Sequence, residues 1–165
     1  MSNSSARLDE TVTPILATIG NLLTTTVGDT KYVSLKGYAG CQIIIAIGDG
    51  TTVTGSTITL KQATAVAGTG EKALAFTRML KNVDYAATQT LAETVVTASS
   101  FTTPTVDSKD QVYVIDVNAT TLDQSLGFDC IRVDGTGHAS TSPRGCVVLY
   151  NLYGPRFSGI TPLTD

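Results

Sequence analysis

Short runs of β-branched residues, each closed by a turn residue, constrain this chain more than any other feature. Residues 41–47 place four isoleucines in five positions directly before Gly48-Asp49-Gly50. That is a buried strand running into a tight turn. Residues 56–62 alternate, with Ile58 and Leu60 on one side and Thr57, Thr59 and Lys61 on the other, which reads as a half-buried strand with a wet face. Residues 111–117 repeat the pattern: Tyr113, Ile115 and Val117 form the apolar side, opposite Val112, Val114 and Asp116. Further strands are expected over residues 12–19, 30–37, 73–79, 93–97, 128–133 and 146–150, and Pro14 assigns the first of them to a sheet edge or a strand start. In the segment 73–79, simple alternation sets Ala73, Ala75, Thr77 and Met79 against Leu74, Phe76 and Arg78.

Little of the sequence carries helical periodicity. One short helix is expected after Asn118, which can cap it; Leu122 and Leu126 are spaced by four, and Gly127 closes it. Residues 83–92 are compatible with a short helix, a strand or a loop. Eight or nine short strands separated by turn signals indicate an all-β fold, a jelly-roll-like or related antiparallel β-sandwich with one short helix. No segment repeats at a fixed period. The expected organisation is a flexible N-terminal arm over residues 1–14, one β-sandwich domain over residues 15–157 and a C-terminal tail over residues 158–165. A chain of 165 residues buries about two thirds of its unfolded surface and needs neither disulfide nor metal to fold.

Composition narrows the function. Threonine supplies roughly one residue in six, which favours extended backbone because its β-branch is stiff at χ1. Charged residues make up only 15%, well under the usual quarter or so. Interface centres are depleted of charge, so a surface this poor in Lys and Glu suits contact with other chains. The net charge is −3; residues 1–82 carry +2 and residues 83–165 carry −5, with no basic cluster of the kind nucleic acid requires. Cys41, Cys130 and Cys146 form no CxxC pair and sit in or beside apolar runs, as buried small hydrophobes do. Residues 1–10 lack the apolar core of a signal peptide, and no stretch reaches the length of a membrane helix, so synthesis in a reducing cytoplasm and no membrane partner are expected.

Catalytic signatures are missing from the pattern. His138, the single histidine, lies in a loop beside two flexible glycines, Gly135 and Gly137, and no Cys or carboxylate stands at a metal-ligand spacing from it. The segment 48–55 lacks the Gly-Lys-Ser/Thr closure of a phosphate loop, and no serine sits in a Gly-x-Ser-x-Gly elbow. Neither enzyme activity nor a cofactor or metal is expected. Four residues near the end, Tyr150, Tyr153, Arg156 and Phe157, have the aromatic and Arg character of interface anchors and are the candidate protein-contact residues.

The ordered set of residues 32–39, 43–48, 58–68 and 72–77, continued by residues 112–117, Leu122, Gly127-Phe128 and residues 131–133, resembles small structural proteins of tailed bacteriophages. It resembles in particular capsid decoration, or cement, proteins, over about residues 30–157. The resemblance implies a virion protein, made in the bacterial host cytoplasm, that forms a homodimer or homotrimer on the capsid exterior. There it would bind the major capsid protein and stabilise coat subunits. The alternative is a receptor- or glycan-binding module of a head fibre or tail component, for which residues 135–145 would be the loop to examine.

Overall fold

The computed structural model describes residues 32–51, 54–135 and 144–155, together with the backbone path of residues 12–21. Eleven strands account for most of it: β1 (Val12–Asn21), β2 (Val33–Ser34), β3 (Gly40–Ile47), β4 (Thr57–Ala63), β5 (Lys72–Ala73), β6 (Phe76–Asn82), β7 (Ala92–Ala98), β8 (Ser100–Thr102), β9 (Gln111–Asn118), β10 (Cys130–Gly135) and β11 (Gly145–Tyr153). They form a six-stranded sheet in the order β1-β11-β3-β9-β6-β7 and a five-stranded sheet in the order β2-β10-β4-β5, with β8 also on β4. The protein is an all-β sandwich.

Every pairing is antiparallel, and the outer ones are nested. β1 pairs with β11, β2 with β10, β3 with β9, and β4 with β5. This is one long hairpin rolled onto itself so that alternate arms fall into opposite sheets, which is jelly-roll topology. Strands β6 to β8 are inserted between β5 of the innermost pair and β9 of the next. The β6–β7 hairpin widens the larger sheet beyond β9, while β8 lies beside the first half of β4.

The core follows from the period-two pattern. Cys41, Ile43, Ile45 and Ile47 of β3, Tyr113, Ile115 and Val117 of β9, and Cys146, Val148, Tyr150 and Leu152 of β11 face Ile58, Leu60, Ile131 and Val133 of the smaller sheet. The alternation expected for residues 56–62 and 111–117 is the observed one. In residues 73–79 it breaks: Leu74, Phe76 and Met79 are all buried. The register with β7 slips by one there, two steps of β6 from Phe76 to Arg78 facing three of β7 from Ala98 to Val95, and beyond the slip Met79 faces the core.

The expected helix resolves into two single 3-10 turns, Ala119–Thr121 and Gln124–Leu126. Its ends are where the sequence places them. Asn118 Oδ1 accepts from the Thr120 N–H, and Gly127 closes the second turn at φ 83°. Between them the Asp123 N–H donates to Gln62 Oε1 at 3.1 Å, and Gln62 Nε2 donates back to Asp123 Oδ2 at 2.7 Å. That reciprocal side-chain pair takes the N–H a continuous helix would have used. Residues 83–92 contain a turn and no helix; they lead into β7.

β1 begins at Val12, so the last three residues of the expected arm are extended and paired. It lies at the end of the six-stranded sheet, as Pro14 requires. At one end of the sandwich Arg144 is buried, its Nε donating to Gly48 O at 2.7 Å and a terminal nitrogen to Lys109 O at 3.0 Å. It ties the loop after β3 to the loop before β9. Ser108 in the latter holds φ 55°, and its N–H donates to Gly50 O at 2.7 Å.

Candidate functional site

The outer face of the six-stranded sheet differs from what an antiparallel sheet usually shows to water, where outward positions are polar. Register places Leu149 of β11 opposite Ile44 of β3, Ile44 opposite Val114 of β9, and Val114 opposite Leu80 of β6. All four are half-buried and point away from the core. A second row beside it runs Val147, Ala46, Val112. An aliphatic strip thus crosses four adjacent strands. Val95 of β7, in register with Arg78 and two residues from Glu93, carries the same face to the sheet edge at 74% exposure.

The strip is bounded by polar groups on the next row, Asn151, Gln42 and Asp116. Tyr153 donates its hydroxyl to Asp116 Oδ1 at 2.9 Å. Burial and this carboxylate acceptor push the Tyr153 phenol up to about 12. A Cβ on Gly40 would collide with the Tyr153 ring and the Val117 carbonyl, so only glycine allows this packing.

A cleft of about 410 Å³ opens from the strip into the sandwich. Its cause is local. The chain crosses from the smaller sheet to the larger between β5 and β6, with the Leu74 N–H still bonded to Leu60 O, so β6 pairs with β9 only over Leu80–Asn82 and then diverges. Leu60, Leu74, Phe76 and Val117 form the apolar floor of this opening; Arg78, Asp116 and Thr121 rim it.

The opposite outer face has another chemistry. Tyr32 donates to Glu71 Oε2 at 2.6 Å, and Lys61 lies 3.0 Å from Glu71 and 2.7 Å from Asp134. Arg132 pairs with Asp134 at 2.8 Å and sits over the Tyr32 ring, 4.6 Å from its centroid. The Tyr32 and Lys61 bonds hold the Glu71 carboxyl below its ordinary value. Lys72 pairs with Asp123 at 2.6 Å and covers the Phe128 ring. Three cations, Lys61, Lys72 and Arg132, balance three anions, Glu71, Asp123 and Asp134, so the face carries no net charge within this network.

No family model, curated protein or solved structure matches this chain. Its own geometry therefore carries the functional argument.

Of the contact residues expected from sequence, Tyr150 is a core residue. It is 2% exposed, and its hydroxyl accepts the Val133 N–H at 2.7 Å, bridging the two sheets. It offers no surface to a partner; the aromatic run near the chain end mixes inward and outward positions because a strand alternates. Tyr153 lies at the rim of the strip, half-buried. Arg156, Phe157 and His138 lie outside the described residues. The strip itself was missed, although residues 43–45 and 147–149 are apolar without alternation, the mark of a strand covered on both faces. Asp116 gave the side holding Val112 and Val114 a polar label that only its end deserves.

Among the described residues no group of three His, Cys, Asp or Glu side chains is placed to hold a metal ion. None of their helices is long and apolar enough to cross a membrane. The three cysteines form no disulfide and are buried, and burial raises the Cys41 thiol far above its ordinary value and the Cys146 thiol to about 12. Neither has the thiolate character of a nucleophile.

Proposed function

We propose that this protein is a virion structural component, a capsid decoration protein that lays the outer face of its six-stranded sheet on the major capsid protein. The observation that carries this reading is the aliphatic strip Leu149-Ile44-Val114-Leu80 across four strands, on a chain with few charges. Contiguous apolar surface on a folded domain marks an interaction site. The charged face then points to solvent and keeps the decorated particle soluble. The adjoining cleft, with its apolar floor and its stretch of β9 unpaired on the β6 side, suits an extended segment of the coat protein that adds a short strand and inserts an apolar side chain. The resemblance to phage structural proteins supports the same role.

Co-sedimentation with undecorated capsids tests it. Saturable binding at a fixed copy number per coat subunit, with delayed thermal rupture of the shell, is the expected result. Folded protein that leaves the shells bare would overturn it.

A further inference from the structure

The cleft beside β9 is a break within a sheet, and its two walls are unlike. β9 pairs with β3 along all eight of its residues without a slip in register. On its other side the ladder with β6 ends at Val114. The Ala119 N–H donates to Ala39 O, on the β3 side. Alternation along an antiparallel strand then turns the main-chain groups of Asp116 and Asn118 the opposite way, into the cleft. Asn118 O already accepts from Thr121 Oγ1 at 2.7 Å. The Asp116 N–H and C=O and the Asn118 N–H remain, with no strand paired to them.

Charge is also uneven across the opening. On the β6 wall, Arg78 pairs with Glu93 at 3.3 Å. On the β9 wall, Asp116 is exposed and its Oδ1 accepts from the Tyr153 hydroxyl at 2.9 Å. No cation among the described residues pairs with it. Strand parity puts Asp116 on the outer face and buries Val117 beside the apolar floor of Leu60, Leu74 and Phe76.

We infer that the cleft recognises an extended segment carrying Lys or Arg next to an aliphatic residue. The segment pairs with β9 at Asp116 and Asn118. Its basic residue lies beside Asp116 on the outer face, and parity sends the neighbouring residue inward, beside Val117 and onto the floor. Main-chain bonds supply the attachment and the two side chains supply the choice, as in strand addition generally. The source of the segment, the coat protein, rests on the capsid-docking reading. The carboxylate adds discrimination to an aliphatic strip that has none, because apolar burial is non-directional.

Two blocked peptides, acetyl-Thr-Val-Lys-Val-Thr-amide and the same peptide with Glu in place of Lys, test the cleft on the full chain with no capsid present. In an NMR titration the Lys peptide should bind the tighter, shift the amides of residues 115–118 and slow hydrogen exchange at the Asp116 and Asn118 N–H groups. D116N keeps an oxygen for the Tyr153 hydroxyl and removes the charge. It should weaken the Lys peptide about threefold, within the range of an exposed ion pair. D116K should reverse the preference. Absence of peptide binding, shifts confined to other residues, unchanged exchange at both N–H groups, or folded D116N and D116K proteins that keep the Lys preference would overturn the inference. Wild-type protein that coats capsids yet ignores both peptides would overturn it and leave docking intact. Lys-peptide selectivity in a protein that leaves capsids bare would instead overturn docking and leave the specificity of the cleft standing.

Discussion

The two outer faces of this sandwich share one backbone geometry and carry opposite chemistry. On the larger sheet the outward positions of the central strands are Ile44, Val114, Leu149 and Leu80. On the smaller sheet the equivalent positions are Lys61, Arg132 and Asp134, joined by Glu71 and Tyr32. The contrast shows how a jelly roll is made directional. Inward residues of both sheets are interchangeable in kind, since all supply apolar volume to one core, so the outward residues alone distinguish a face to be covered from a face to be solvated. A network whose charges cancel locally needs no partner, whereas an aliphatic strip gains about 25 cal/mol for each Å² a partner takes from water.

Four changes sharpen or break that contrast. The largest effect is expected from paired charges on the strip. I44E with V114E should weaken capsid binding about thirtyfold or more, roughly 2 kcal/mol as for a hot-spot pair, while thermal melting shows the fold retained. Next is the link between the sheets. Y150F leaves the buried Val133 N–H without its acceptor and should cost about 1–3 kcal/mol in a denaturant titration, with capsid affinity of the folded fraction unchanged.

Third is alkaline stability. Burial raises the Tyr150 and Tyr113 phenols above their ordinary value, so unfolding exposes stronger acids. Stability should be intact below about pH 10 and fall as pH rises beyond it, read from melting temperatures across alkaline buffers. The smallest effect belongs to the wet face. The Glu71 carboxyl is held below its ordinary value by the Tyr32 and Lys61 bonds, so its contribution is present above about pH 4.3 and is lost as pH falls through the folded value. The pair is partly exposed and screened, so E71Q should cost under about 1 kcal/mol at neutral pH and leave capsid binding unaltered.

Much of this fold is legible in the sequence where a strand has one wet side. The alternation in residues 56–62 and 111–117 assigns the core directly, and Pro14 assigns an edge. What sequence could not supply is set by non-local partners. The break of alternation in β6 falls where the chain changes sheets and its register with β7 slips, and the split of the helix after Thr121 depends on Gln62, sixty-one residues before Asp123. The aliphatic strip is a row only in register, assembled from four strands distant in sequence, and no single strand displays it. Likewise Tyr150 and Tyr153 look alike as neighbours in sequence, yet strand parity and position send one into the core and the other to the rim.

Hydroxyl-radical footprinting of the protein free and bound to undecorated shells is the most direct test of the claim that the two faces have different tasks. The account predicts that Ile44, Val114, Leu149 and Leu80 lose reactivity on binding while Lys61 and Lys72 on the charged face keep theirs. Protection of the charged face with the aliphatic strip still reactive would contradict it.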